Sequence, residues 1–513
     1  MNGAEALART LVGAKVTACF ANPGTSEMHF VSALDRVPGM RCVLGLAETV
    51  VTGCADGYGR MTGHPAATLL HCGPGLANGL ANLHNAKRAY TPVVNIVGDH
   101  ATYHVGHDTP LTCDVAALAH PVSRWVRLSR HAREVADDAA LAVQAACGAP
   151  GGVATLILPA DTAWSPSAGP RPALPVPDRP QVESPRIDEA ARALRQGQPA
   201  MILLGTSALS QAGLSAAWRL AGATGAALRT TTFVARMPRG QGRPPIDRLP
   251  YAVDQAVAEL APMRTLILAG APAPAAFFAY PDKPSELWAP GTHVLSLAGT
   301  GEDAETALIA LADALAAPVR PLGPPPAPGP GLPHGPFTPA AFGQVLAGLL
   351  PAGSIVMEDA VTSGRGLFGP TFGAAPHDWL QNTGGAIGGG MPTATGAAIA
   401  CPDRPVVCLQ ADGAGMYSLQ ALWTQARESL KVVTIVFSNR AYRILQAELH
   451  AVGATPGPAS EALFKLTEPS LDWVSLAQGM GVPARRVDTM QDLADALGRA
   501  LRSQGPFLIE LLC

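Results

Sequence analysis

Two proline-rich stretches, Ser165 to Pro185 and Pro318 to Pro339, the second carrying the run Gly323-Pro324-Pro325-Pro326, set the strongest limit on how this chain folds. Proline fixes φ and has no backbone donor, so such segments stay extended and cannot enter a helix interior or a central strand. They read as interdomain linkers. Three blocks result, residues 1–165, 186–317 and 340–513, which suits a 513-residue chain too long for one hydrophobic core. Within the first block, strand-like runs at Ala66 to Leu70, Pro92 to Val97 and Gly152 to Leu158 alternate with helical patterns such as Gly75 to Arg88. The middle block has runs at Ala200 to Leu204, Thr265 to Leu268 and His293 to Leu297, and the last repeats the scheme. The expected fold is α/β: three domains, each a mostly parallel sheet flanked by helices.

Composition excludes several classes of partner. The net charge of −3, with Lys and Arg scattered, offers no basic face for nucleic acid. Nine cysteines spread singly, without a Cys-x-x-Cys pair, suggest neither a disulfide framework nor a zinc ribbon. Met1 to Thr10 contains Glu5 and Arg9 and lacks an apolar signal core, and no uncharged apolar run reaches membrane-spanning length. A soluble cytoplasmic protein without a membrane partner is expected.

Chemistry is most legible at Asp412 and Asn439. They follow two short apolar runs, Pro405 to Gln410 and Val432 to Phe437, with a helix-like stretch, Met416 to Glu428, between them. A carboxylate and an amide oxygen side by side at the top of a parallel β-α-β unit are hard ligands suited to Mg²⁺ shared with phosphates. Ala411-Asp412-Gly413-Ala414-Gly415 adds small residues and free backbone N–H groups at a helix start, where a diphosphate binds well. The other reading is an Asp that caps a helix and an Asn in a turn.

The 27-residue spacing from Asp412 to Asn439 resembles the signature of thiamine diphosphate (ThDP) enzymes, a Gly-Asp-Gly triplet followed by Asn-Asn. Ala411 replaces the first Gly and Ser438 the first Asn, and neither change removes a ligand. The resemblance implies Mg²⁺ ligation by Asp412, Asn439 and the carbonyl of Ala441, and ThDP binding by Gly413 and Ala414. It implies that Glu48, eight residues before the Asp56 of Ala55-Asp56-Gly57-Tyr58, holds a proton at the cofactor's aminopyrimidine ring. Apolar neighbours such as Val43, Leu44, Val50 and Val51 predict that Glu48 is buried, where a carboxylate needs a partner. Within Gly384-Gly385-Ala386-Ile387-Gly388-Gly389-Gly390, Ile387 resembles the apolar wedge that bends the cofactor, and the Gly385 carbonyl the acceptor for its amino group. Thr362 and Ser363 resemble residues that reach the diphosphate from the other side, although both are also ordinary helix caps. The implied architecture is an aminopyrimidine-binding domain, a central Rossmann-like domain and a diphosphate-binding domain. Implied too is a homodimer or homotetramer with active sites between subunits.

His71 ends the run Ala66 to Leu70, at the sheet edge where ligands of parallel sheets bind, and imidazole transfers protons near neutrality. Benzoylformate decarboxylases, members of this family, carry an active-site His in a Leu-His-Ser context there, whereas acetolactate synthases show Thr-Ser-Gly-Pro-Gly. His71-Cys72-Gly73-Pro74-Gly75 mixes the two. Thr25, in Asn22-Pro23-Gly24-Thr25-Ser26-Glu27, matches a substrate-contacting hydroxyl position, while Phe277 and Phe278 stand near where the decarboxylases have a second His. The implied activity is decarboxylation of a small-molecule 2-oxo acid, with Glu48, His71 and Thr25 as the catalytic set. The alternatives are an acetolactate-synthase-like carboligase, which adds the decarboxylated donor to a second carbonyl compound, and a non-catalytic nucleotide or metal binder. FAD has no evident motif: Gly205 and Gly270 follow strands without a clear Gly-x-Gly-x-x-Gly and read as packing turns. His100, His104 and His107, at i, i+4 and i+7, are open to three readings: a zinc site, a second proton donor, or plain loop histidines.

Overall fold

The computed structural model describes residues 1–322 and 331–513; the run Gly323 to Pro326 lies outside them. Three sheets organise the chain. The first is six-stranded and wholly parallel, in the order β2-β1-β3-β4-β6-β5, from β1 (Ala18–Asn22), β2 (Arg41–Leu44), β3 (Ala66–Leu70), β4 (Val93–Asp99), β5 (Trp125–Leu128) and β6 (Val153–Pro159). β3, β4 and β6 are buried along their whole length, as expected of strands covered on both faces by helices.

The second sheet is parallel and four-stranded, in the order β11-β10-β7-β8. It comprises β7 (Ala200–Leu204), β8 (Ala227–Thr230), β10 (Thr265–Ala269) and β11 (His293–Ala298). The third orders seven strands as β16-β17-β15-β14-β12-β13-β9. Six of them come from the last part of the chain: β12 (Ile355–Asp359), β13 (His377–Gln381), β14 (Val406–Ala411), β15 (Val432–Ser438), β16 (Ala484–Val487) and β17 (Phe507–Leu512).

The seventh, β9 (Met237–Arg239), is supplied by the middle of the chain and pairs antiparallel with β13, His377 opposite Arg239 and Trp379 opposite Met237. Pro238 is tolerable there because an edge strand can spare a donor. Arg239 fixes the join: its guanidinium lies against the rings of Phe368, Phe372 and Trp379 and donates to the Phe368 carbonyl. Among the described residues no carboxylate pairs with it, and the aromatic box keeps the cation in favourable company.

The outer sheets are joined by two helices, Glu48–Thr62 and Gly390–Ala400, which cross backbone to backbone. A Cβ on Gly57 would collide with the Thr393 carbonyl, and one on Gly396 with that of Cys54. Arg60 adds a polar staple, paired with buried Asp56 through both carboxylate oxygens while donating to the Gln381 carbonyl of β13 at 2.5 Å. Much of the Ala-Asp-Gly-Tyr-Gly-Arg motif is thus explained by the joining of these sheets.

The stretch Met416 to Glu428 is not one helix. A short turn of helix, Asp412–Gly415, is separated from Ala421–Arg427. Between them Ser418 Oγ donates to the Gly388 carbonyl at 2.5 Å, anchoring the break to the glycine-rich loop. Among the described residues, no helix is long and apolar enough to cross a membrane.

Candidate active site

β14 ends at Ala411 and β15 at Ser438, paired in parallel, so the residues that follow them emerge side by side. They line a cleft of roughly 40 Å³ with Thr362, Ile387, Asp412, Gly413, Ala414, Asn439 and Ala441 on its walls. Asp412 is 2% exposed. Its oxygens accept the N–H groups of Gly413 at 2.8 Å and Arg440 at 2.6 Å, and burial raises its pKa above the usual carboxylate range. A buried carboxylate satisfied by backbone amides rather than a cationic side chain suits a cation. Asn439 Oδ1 accepts from the Ala441 N–H at 3.0 Å, and its amide nitrogen donates to Ser363 Oγ at 3.4 Å, so Ser363 braces the site from behind. The carboxylate, amide oxygen and main-chain carbonyl expected for Mg²⁺ therefore share one cleft with the small residues fit for a diphosphate.

Ile387 is held there by its neighbours. Asp359, buried at the end of β12, accepts the N–H groups of Gly388 and Gly390 at 2.9 and 3.1 Å. Asn85 and Asn382 grip the Ala386 carbonyl at 2.8 and 2.6 Å, and Asn85 also accepts the Ala386 N–H. Burial lifts the Asp359 pKa despite these donors. Gly385, at φ +76°, has the Phe277 ring against its α-carbon. Neither Asp359 nor Asn85 is marked by any local sequence motif.

Glu48, His71 and Thr25 are elsewhere, along the carboxyl edge of the first sheet, and none of them lines the Asp412 cleft. The expectation that Glu48 is buried does not hold. Val50 and Val51 are fully covered, but Glu48 opens its helix beside Leu46, which is 44% exposed, and its carboxylate is only partly buried, taking a 3.2 Å bond from Asn78. Apolar neighbours in sequence buried the inward side of this helix turn and left the acid on an open face.

His71 sits between β3 and the helix Cys72–Ala89, and β3 pairs with β1 so that Leu70 faces Asn22. The segment after Asn22 therefore runs beside His71. Thr25 is exposed on it, while Glu27 turns inward, 2% exposed, and accepts from His71 Nδ1 at 3.0 Å and from Gly24 N–H at 2.7 Å. Ser26 Oγ also reaches Glu27 and lies 3.2 Å from His71 Nδ1. With Nδ1 engaged by a carboxylate, Nε2 of His71 is the nitrogen left for proton exchange. Glu27 is the functional candidate that the sequence motif contained but did not single out.

A second cavity, of about 1090 Å³, opens beside Gly205, Thr206 and Gly270 at the carboxyl ends of β7 and β10, and Arg88, Arg179 and Arg243 line it. Gly205 and Gly270 also pack against each other's carbonyls, as expected of turns.

Residues 1–118 match the N-terminal TPP-binding domain of thiamine pyrophosphate enzymes and residues 371–511 their C-terminal TPP-binding domain. A Mycobacterium tuberculosis protein, provisionally named as the acetolactate synthase large subunit IlvX, is 50% identical over 100% of this chain and 99% of its own length. The chain belongs to the thiamine pyrophosphate enzyme family. It is thus an enzyme of the ThDP-dependent 2-oxo-acid decarboxylase and acetolactate synthase group, not a non-catalytic binder. Benzoylformate decarboxylase of Pseudomonas aeruginosa is 28% identical over 97% of this chain and 96% of that one. In fold, the ThDP-dependent 4-hydroxybenzoylformate decarboxylase of Rhodococcus jostii RHA1 superposes with a TM-score of 0.86 at 24% identity, covering 99% of this chain and 98% of that one. Benzoylformate decarboxylase from Polynucleobacter necessarius gives 0.84 at 23%, covering 100% and 98%. The three-sheet architecture is that of the ThDP enzymes.

Proposed function

We propose that this ThDP enzyme also requires Mg²⁺ and decarboxylates a 2-oxo acid, in a homodimer or homotetramer whose active sites lie between subunits. The observation that carries this reading is the convergence of Asp412, Asn439, Ala441 and Ile387 in one cleft to which Glu48 of the same chain does not contribute. Glu48 is partly exposed and, among the described residues, bonded through its carboxylate to Asn78 alone, as befits an acid that completes its contacts against a second copy.

In this reading Asp412, Asn439 and the Ala441 carbonyl hold Mg²⁺, and the N–H groups of Gly413 and Ala414, with Thr362, receive the diphosphate. Asp359, Asn85 and Asn382 fix the loop that presents Ile387. When bound, the coenzyme supplies the electron sink for loss of CO₂. Glu48 of a second copy keeps a proton at the aminopyrimidine ring, and Thr25 positions the substrate carboxylate. His71, oriented by Glu27, delivers a proton from Nε2 to the decarboxylated donor.

The 50% identity to IlvX favours a second reading, in which that donor is joined to another carbonyl compound. The test is to supply the purified enzyme with ThDP and Mg²⁺, offer a panel of 2-oxo acids including pyruvate and benzoylformate, and identify products. CO₂ with an aldehyde supports decarboxylation, a 2-hydroxy ketone or 2-acyl-2-hydroxy acid supports carboligation, and no CO₂ from any donor defeats both.

A further inference from the structure

Two sets of potential metal ligands flank the proposed catalytic edge, and only one converges. His100, His104 and His107 lie ring beside ring at tilted angles, with centroids 5.7 and 5.3 Å apart, yet among the described residues their nitrogens do not all come within 4.8 Å of one another. A carboxylate oxygen of Glu27, a ring nitrogen of His71 and Sγ of Cys72 do. Ser26 Oγ touches all three, 3.2 Å from both Cys72 Sγ and His71 Nδ1 and hydrogen-bonded to Glu27.

The backbone holds the thiol there under constraint. Cys72 has φ +50°, in the left-handed region that non-glycine residues rarely adopt, and opens the helix that follows β3 and His71. Cys72 and Glu27 are 1% and 2% exposed, whereas the His71 side chain is 22% exposed, so the group opens to solvent on one side. Sulfur, imidazole nitrogen and carboxylate oxygen with a fourth position left for water is the donor set of an open tetrahedral zinc site. A thiolate discriminates against Mg²⁺, so this trio would not compete for the metal expected at Asp412.

We propose that Glu27, His71 and Cys72 form a site for Zn²⁺ or a similar thiophilic divalent cation, separate from the Asp412 cleft, whose occupation silences the enzyme. The inhibitory half rests on the proton role assigned to His71 above. On binding, the Cys72 thiol loses its proton to solvent and its sulfur bonds the metal. The proton on His71 Nδ1 leaves to solvent while Nε2 takes one up, and the freed Nδ1 lone pair and a Glu27 oxygen then replace their mutual hydrogen bond with bonds to the same ion. Burial and the nearby Glu27 and Asp99 carboxylates push the free thiol up to about 11. Glu27, Asp99, His71 and Ser26 are the polar groups that face the thiol.

The test titrates full-length enzyme, freed of metal and coenzyme, with Co²⁺ as the probe and then with Zn²⁺. One thiolate-bound Co²⁺ per chain is expected, seen as a thiolate-to-cobalt charge-transfer band that Zn²⁺ bleaches. Cys72→Ser, confirmed as folded by its melting curve, should lose the band, and His104→Ala should keep it. In the enzyme reloaded with ThDP and Mg²⁺, Zn²⁺ should lower turnover by about a hundredfold, the order expected for loss of a general acid. The ratio of rates with and without Zn²⁺ should approach unity in Cys72→Ser. Absence of a thiolate band, or its survival in Cys72→Ser, overturns the site. A band without inhibition overturns the silencing, and a wild type inactive on every 2-oxo acid would count against the catalytic reading while leaving the cobalt result standing.

Discussion

The imidazole Nδ1 of His71 lies 3.0 Å from a carboxylate oxygen of Glu27, across the loops that leave two adjacent parallel strands. Glu27→Gln keeps the shape of this contact but offers no anion, and one amide N–H then confronts the Gly24 N–H. Its kcat is expected to fall about tenfold or more, with the ThDP affinity unchanged. His71→Ala should lose about a hundredfold or more. Steady-state kinetics beside a coenzyme titration checks both, and an unaltered kcat in either variant assigns this pair to packing.

Glu48→Gln should leave the melting curve in place and remove most turnover, because among the described residues the partly exposed carboxylate makes only one long bond. The reading also demands complementation between chains. Glu48→Gln and Asp412→Ala, each nearly inactive alone, should regain measurable activity when mixed subunits assemble, since one of the two shared sites is then intact. Persistent inactivity in purified mixed dimers would place both residues in a site within one chain.

Burial raises the Asp412 pKa above the usual carboxylate range. An acid with a raised folded pKa binds its proton more tightly in the folded state. Its contribution is thus greatest below the ordinary carboxylate range and is lost as pH rises through the folded value. Metal-free enzyme should lose stability across that window, and Mg²⁺ with ThDP at about a hundred times Kd should return roughly 2.7 kcal/mol. Asp412→Asn should melt above the metal-free parent at neutral pH and gain nothing from Mg²⁺ and ThDP. Thermal denaturation with and without the ligands decides it, and equal stabilisation of variant and parent would remove Asp412 from the ligand set.

The Asp412 cleft was legible because apolar runs locate strand ends, and parallel pairing brings neighbouring strand ends together. Ile387 and Ala441 followed from the resemblance to the thiamine diphosphate enzymes. Glu27 was not, although it stands in a motif with Thr25: its inward turn depends on the register of β1 with β3, which a linear pattern does not encode. Glu48 was placed in the core because its neighbours are apolar, yet a helix start divides adjacent residues between faces. β9 escaped because three residues around Pro238 carry no strand signal and pair only through Trp379 and its neighbours, brought there by tertiary packing.

Gly57 gives the most direct test of how the outer sheets are joined. A Cβ there would strike the Thr393 carbonyl, an atom fixed within the helix Gly390–Ala400, so no side-chain rotation relieves the clash. Gly57→Ala must part the two helices, at about 1–3 kcal/mol or more, against the fraction of a kcal/mol that alanine gains in helix propensity. Gly63→Ala meets no neighbouring atom but sits at φ +71°, so it should cost less and for backbone reasons alone. Because the first of these helices begins at Glu48 and the second follows the Ile387 loop, parting them should also weaken ThDP binding in Gly57→Ala and leave it untouched in Gly63→Ala. Paired denaturation and coenzyme titrations read both effects, and a Gly57→Ala protein as stable as its parent would show that the helices do not meet at this crossing.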